Sequence, residues 1–300
     1  MDPSQNLLCL EELYQNTLKD CFPNSESPIR SISNIDFWGL NVSESAPVPY
    51  ECKIYYQAEE TITLDPTDHD LIRFAFIHNM IRCRCRVKGT ELSRGYIVLK
   101  NRSAQNMELL FQVLQDNSIH IQNDMIWHPK LFSFSGCAET VNTPPLHMIG
   151  VKSSTEAANI FNLEWMLRDV SGDKQEYNDK YYLSYIKSIR ILEFSKLIDF
   201  AQSHWECKIR SSLLHLWLMA IDYFPNGDKK YKLYFKGDYC QSLSELQEDF
   251  CDFFPKDISL LKSVSQFLSH HKELTLYGFA LCLSSVGERS INYYFISTND

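Results

Sequence analysis

The chain has 300 residues, 44% hydrophobic and 22% charged, with a formal net charge of −9. That is enough for one large or two ordinary domains of globular composition. The acidic balance (pI ≈ 5.5) argues against general nucleic-acid binding, which needs a basic face. The longest apolar run, Leu213 to Ile221, is interrupted by His215 and is too short to span a bilayer. The start, Met1-Asp2-Pro3-Ser4-Gln5-Asn6, lacks the basic opening and apolar core of a signal peptide. A cytoplasmic protein with neither a membrane nor a nucleic acid as partner is therefore expected.

Leu7, Leu10, Leu13 and Leu18 recur at helical spacing, predicting a helix over Leu7 to Asp20. Tyr50 to Gln57 alternates, with Glu51, Lys53 and Tyr55 on one face and Cys52, Ile54 and Tyr56 on the other. A second strand is expected at Glu59 to Leu64. A helix from Asp65 to about Cys83 then follows, with Asp68 and Asp70 at its start and Pro66 where helices tolerate it. Met107 to Gln115 reads as a helix, and His147 to Val151 with Ile160 to Arg168 as a strand pair. In the latter, Phe161, Leu163, Trp165 and Leu167 alternate with Asn162, Glu164, Met166 and Arg168, giving one apolar and one mostly polar face. Asn178 to Arg190 reads as helix, and Ile191 to Ser195 as a lone strand. Pro225-Asn226-Gly227-Asp228 turns the end of the Leu213 to Phe224 run into Lys229 to Gly237. Helices are expected at Ser242 to Phe253 and Asp257 to His270, and a last hairpin at Leu274 to Ser284 and Ser290 to Ser297. The ten cysteines contain no C-x-x-C pair, Cys83 and Cys85 fall on a helix-like segment, and the histidines show no H-E-x-x-H spacing. Buried free thiols and no dedicated zinc site are the expectation.

The recurring helix and strand-pair units predict an antiparallel sheet with helices on one side. Lys230, Lys232, Tyr234 and Lys236 share one face, as do Ser290, Asn292, Tyr294 and Ile296, and, by simple alternation, Thr275, Tyr277, Phe279 and Leu281. If helices cover the apolar faces, these faces point either at solvent or into the lumen of a closed barrel. A Lys/Tyr floor could hold an anion beside aromatic walls able to stack on an apolar or cationic group.

Cys52-Lys53-Ile54, Met148-Ile149-Gly150-Val151 followed by Phe161 to Asp169, Ser211-Ser212-Leu213, Lys232-Leu233-Tyr234-Phe235 and Asn292-Tyr293-Tyr294-Phe295 resemble, in order and spacing, the cyanobactin peptide prenyltransferases over roughly residues 45 to 297. The resemblance implies an α+β protein of ABBA type, in which repeated αββα units close an antiparallel β-barrel with helices outside, here one domain over residues 1–300. Because Ile191 to Trp205 leaves room for only one strand, it further implies one hairpin lost or irregular. In that family isoprenyl groups pass from a diphosphate donor to a cyclic peptide with Mg²⁺. The implied diphosphate-binding residues are Lys53, Arg168, Lys232, Tyr234, Lys236 and Tyr294; Glu51 stands near the catalytic carboxylate, and Asn162, Glu164, Met166 and Met219 are implied to line the lumen.

The sequence also departs from the family pattern. Asn162, Glu164 and Met166 stand where cations are expected, leaving Arg168 alone on that strand. At 5 Å and an effective dielectric near 20, each like-charge pair between Glu164 and a diphosphate costs about 3 kcal/mol before screening. Glu164 would be a metal ligand only if the protein works with Mg²⁺; otherwise neither a metal nor a cofactor is expected. Two readings follow. The first is a cyanobactin-pathway protein impaired in or without prenyl transfer, with a cyclic or precursor peptide or other pathway enzymes as partners. The second is an active Mg²⁺-dependent transferase moving dimethylallyl or geranyl onto Tyr, Ser or Thr of a macrocyclic peptide.

Overall fold

The computed structural model describes residues 3–21, 37–43, 50–57, 64, 68–89, 94–100, 103–119, 146–152, 159–166, 191–211, 213–237, 240, 243–254 and 258–297. Its strands are β1 (Phe37–Ser43), β2 (Tyr50–Gln57), β3 (Ile81–Gly89), β4 (Arg94–Leu99), β5 (Leu146–Lys152), β6 (Ile160–Met166), β7 (His215–Tyr223), β8 (Lys229–Lys236), β9 (Leu274–Ser284) and β10 (Arg289–Ser297). The helices among the described residues are α1 (Pro3–Cys21), α2 (Asp70–Ile77), α3 (Ala104–Asp116), α4 (Leu192–Arg210), α5 (Leu243–Phe253) and α6 (Ile258–His270).

Each strand pairs antiparallel with its neighbour in sequence, and β1 pairs with both β2 and β10. The ten-stranded sheet thus closes on itself, leaving no strand edge unpaired. The helices cover its outer face. Trp205 of α4 meets Phe235, Phe250 and Phe279 edge-on at centroid distances of 5.3, 5.9 and 5.2 Å, while its Nε1–H donates to Asp249 at 2.7 Å. Tyr50 OH on β2 donates to the Leu260 carbonyl of α6 at 3.1 Å. Phe235, Phe279, Tyr293 and Tyr50 therefore face outward, and by the two-residue period Tyr234, Ala280, Asn292 and Glu51 face the lumen. No helix among the described residues is long and apolar enough to cross a membrane.

Several expectations are corrected. Ile191 to Ser195 is not a strand: Phe194, Leu197, Ile198, Ala201, Trp205 and Ile209 form one buried stripe of α4, and Lys208 and Arg210 suit its C-terminal turn. No hairpin is missing from the barrel either, since all ten strands are present. The first hairpin partner of β2 is β1, which lies before it; the expected strand Glu59 to Leu64 falls outside the described residues except Leu64, which is in neither helix nor strand. The helix beginning near Asp65 is only α2, capped by His69 Nδ1 accepting from Leu71 N at 3.1 Å. Cys83 and Cys85 lie on β3, not on a helix. Arg84 of β3 clamps Asp68 with both guanidinium nitrogens, joining this strand to the start of α2. The expected helix Asn178 to Arg190 lies outside the described residues.

Two bulges re-aim side chains at one barrel mouth. Register shifts between Leu216 and Leu218 on β7, and Leu276 and Gly278 of β9 oppose consecutive residues Phe295 and Tyr294. Trp217 and Tyr277 are the extra residues, and both turn inward, where their rings meet edge-on at 5.8 Å. Tyr277 therefore does not share a face with Phe279 and Leu281, as simple alternation predicts.

Candidate active site in the barrel lumen

The lumen is built in rows of cross-strand neighbours. Asn162, Asp222, Lys230 and Ser284 form one row; Glu164, Ala220, Lys232, Cys282 and Ser290 form the next. Leu218, Tyr234, Ala280, Asn292, Asn41 and Glu51 form a third. Lys236, Gly278, Tyr294, Gly39 and Lys53 follow.

At the centre, Lys232 Nζ lies 2.8 and 2.7 Å from the two carboxylate oxygens of Asp222, and Asn162 Nδ2 donates to the same carboxylate at 2.6 Å. Lys232, Asp222 and Glu164 are each only 4% exposed. Tyr234 OH donates to Glu164 Oε1 at 3.3 Å, and the Tyr234 and Tyr294 rings stack at 5.8 Å. Asn292 Nδ2 donates to Tyr294 OH at 3.4 Å and accepts on Oδ1 from Asn41 Nδ2. Burial raises the pKa of both phenols well above its ordinary value, and the Glu164 charge adds to this in each. They remain neutral hydrogen-bond donors at physiological pH. Burial likewise raises the Cys282 thiol, which keeps it protonated.

The residues implied by the family resemblance are dispersed among these partners. Lys53 pairs with Glu51 at 2.6 Å, so the carboxylate nearest the catalytic position already faces a cation. Lys232 is held by Asp222. Lys236 sits at the mouth made by the bulges, donating to Tyr277 OH at 3.1 Å with its ammonium 4.5 Å from the Trp217 ring centroid and 5.2 Å from that of Tyr277. Asn162 and Glu164 line the lumen. Met219 does not: it opposes Trp165 and Leu233, all three fully buried in the layer between sheet and helices. The β7 bulge shifts the alternation only before Leu218, so Leu218 and Ala220 take the inward positions instead. Met166 lies on β6, but its side chain is outside the described set, as is Arg168 altogether.

Sequence reasoning missed Asp222. It is the only acid in the strand His215–Tyr223, which is otherwise apolar or aromatic apart from its first residue. A single carboxylate in such a strand, at inward parity, was the available signal. At the end of the barrel made by the turns before β8 and β10, a cavity of about 190 Å³ is lined in part by Lys230, Ser284 and Ser290.

A Mg²⁺–diphosphate pair fits this lumen poorly. Its central ammonium already carries a carboxylate, and Glu164 stands in the same cross-strand row. With Tyr234 OH donated to Glu164, what the two neutral phenols bring to an apolar or cationic group is their aromatic rings.

No family description and no curated protein matches the sequence. Solved structures do match in fold. A 5-dimethylallyltryptophan synthase from Streptomyces coelicolor superposes with a TM-score of 0.56 at 10% identity, covering 96% of this chain and 91% of that one. A 6-dimethylallyltryptophan synthase from Micromonospora olivasterospora, solved in complex with DMASPP and Trp, gives 0.51 at 9% identity over 99% and 97%. AnaPT from Neosartorya fischeri gives 0.53 at 12% identity over 88% and 79%. At such identities the likeness establishes the fold alone: an α+β barrel of the ABBA prenyltransferase type.

Proposed function

We propose that this chain is a prenyltransferase-like barrel, one domain over residues 1–300, that no longer binds isoprenyl diphosphate efficiently. It serves cytoplasmic biosynthesis of ribosomal cyclic peptides of the cyanobactin kind, in the manner of the PatF protein of the patellamide pathway. Its partner is a cyclic or precursor peptide, or another enzyme of the pathway. The support for the cyanobactin assignment is the run of short motifs from Cys52 to Phe295.

The observation that carries the loss of diphosphate binding is the Lys232–Asp222 pair with Glu164 alongside. A diphosphate entering the central row has to displace one carboxylate and sit near a second. At about 5 Å and an effective dielectric near 20, each such repulsion costs about 3 kcal/mol, roughly a hundredfold in affinity. Calorimetric titration of the protein with dimethylallyl diphosphate and Mg²⁺ tests the proposal. Heats too small to fit below millimolar concentration are expected, and a micromolar, Mg²⁺-dependent isotherm refutes it.

The retention of Lys232, Tyr234 and Tyr294 in one lumen favours a second reading, an active Mg²⁺-dependent transferase acting on Tyr, Ser or Thr of a macrocyclic peptide. In that case Lys232 and the two phenols bind the donor's oxygens. The stacked rings exclude water from the allylic group, and Glu51 takes the proton of the attacking hydroxyl. A product heavier by one isoprenyl unit, lost on Lys232→Ala, decides for this reading.

A further inference from the structure

We infer that Asp222 is a built-in counter-anion occupying the lumen's anion-binding position, and that its charge is the largest single barrier to a diphosphate there. The inference rests on the proposed function and names the residue responsible for it.

Three strands contribute to the cradle. Asp222 of β7 receives the Lys232 ammonium of β8 on both oxygens, at 2.8 and 2.7 Å, and the Asn162 amide of β6 at 2.6 Å. A cation and an amide donor converging on two oxygens is the arrangement that holds a phosphoryl group as readily as a carboxylate. Both side chains of the ion pair are 5% exposed, so a buried ammonium is present that requires an anion, and the chain supplies its own. Asp222 contributes nothing to the outer apolar layer, because its two neighbours on β7, Ile221 and Tyr223, carry that packing while it faces inward. Lys230, directly opposite Asp222 across the β7–β8 pair, lines the mouth cavity of about 190 Å³ together with Ser290. Asn162 Oδ1 is buried with no hydrogen-bond partner among the described residues, and the amide is held through its Nδ2–H. The mouth cavity also carries Lys229 and Arg289 beside Asp228 and Glu288, so Lys230 is the cation of this mixed-charge mouth that stands across from Asp222. Removing the Asp222 charge leaves the Lys232 ammonium and the Asn162 amide donor around one position, with Lys230 opposite it on β8.

The test compares wild-type protein with Asp222→Asn and Asp222→Ser, titrated calorimetrically with inorganic diphosphate and with dimethylallyl thiolodiphosphate. Melting curves with and without inorganic diphosphate run in parallel. Both variants are expected to bind at least ~100-fold more tightly than wild type, about 2.8 kcal/mol at 1.4 kcal/mol per decade. Adding Lys232→Met to Asp222→Ser should abolish the gain. If a variant is destabilised, diphosphate should restore its cooperative melting, since a ligand that binds only the folded state stabilises it. Folded variants that bind no better than weakly binding wild type overturn the role of Asp222 and leave the proposed function standing, as does a destabilised variant that diphosphate does not rescue. Micromolar binding by wild type overturns the proposed function, and equal affinity in the variants then overturns the inference with it.

Discussion

Replacing Lys232 by methionine removes the ammonium while keeping most of the side chain's volume. At 2.7 Å and an effective dielectric near 20, the attraction between Lys232 and Asp222 is about 6 kcal/mol. Taking both charges out of water costs several kcal/mol each, so the intact pair is near break-even against an apolar pair of the same size. Breaking it is different, because Asp222 then stays buried with its charge uncompensated. Lys232→Met alone is expected to cost about 3–5 kcal/mol, and Asp222→Leu alone a similar amount. The double variant Asp222→Leu/Lys232→Met should fall within about 1 kcal/mol of wild type, or exceed it in stability. Urea unfolding followed by tryptophan fluorescence gives all four corners of the cycle, with Trp165, Trp205 and Trp217 as reporters. Single-variant losses below about 1 kcal/mol, or losses that simply add in the double variant, would show that the two charges are not a buried pair. The reasoning about the lumen would fall with that result.

Trp205→Ala removes the ring that joins Phe235, Phe250 and Phe279 and leaves Asp249 without its indole donor, so a loss of about 3–5 kcal/mol is expected in the same assay. Gly237→Ala places a methyl 2.5 Å from the Leu213 carbonyl oxygen at φ +138°, and should destabilise by more than about 1 kcal/mol in calorimetry. Burial alone would lower the His204 pKa, but the hydrogen bonds to Asp252 and the Phe200 carbonyl, with the charges of Asp249 and Asp252, outweigh it and raise the value. Protonated His204 therefore adds stability below its unfolded pKa near 6.5, and that contribution disappears as pH rises through the folded value. Urea midpoints measured from pH 5.5 to 8.5 should fall less steeply in Asp252→Asn; an unchanged slope rules out this linkage.

The last two hairpins were legible because lysine, tyrosine and asparagine alternate with Tyr231, Leu233, Phe235, Ile291, Tyr293 and Phe295 without interruption. They pointed to an antiparallel sheet with helices on one side, whereas the closed ABBA-type barrel was implied only by the family resemblance. Ile81 to Lys88 alternates just as regularly, yet the acids before it suggested one long helix, and the real helix stops at Ile77. Ile191 to Ser195 is too short a window to separate a period of two from one of 3.6, and only the stripe continuing to Ile209 decides for helix. Trp217 and Tyr277 were unreadable for another reason. A bulge adds one residue to one strand, a choice made by the partner strand and invisible in either sequence alone.

The central ion pair shows the same dependence on register. A turn at Pro225 to Asp228 sets Asp222 directly opposite Lys230, so pairing by position would join those two. The structure instead joins Asp222 to Lys232, one step along the diagonal, within reach of a long side chain on the same face. The difference matters chemically. Lys232 lies in the row of Glu164 and Cys282, at the middle of the lumen, whereas Lys230 lines the mouth cavity. By taking the diagonal, Asp222 neutralises the inner cation and leaves the outer one at the entrance. The β6 positions occupied by Asn162 and Glu164 then act in the same sense, one holding the internal anion and the other adding a second negative charge to the row. On the proposed reading, Asp222, Asn162 and Glu164 of two adjacent strands act together against an entering diphosphate, beside the stacked rings of Tyr234 and Tyr294.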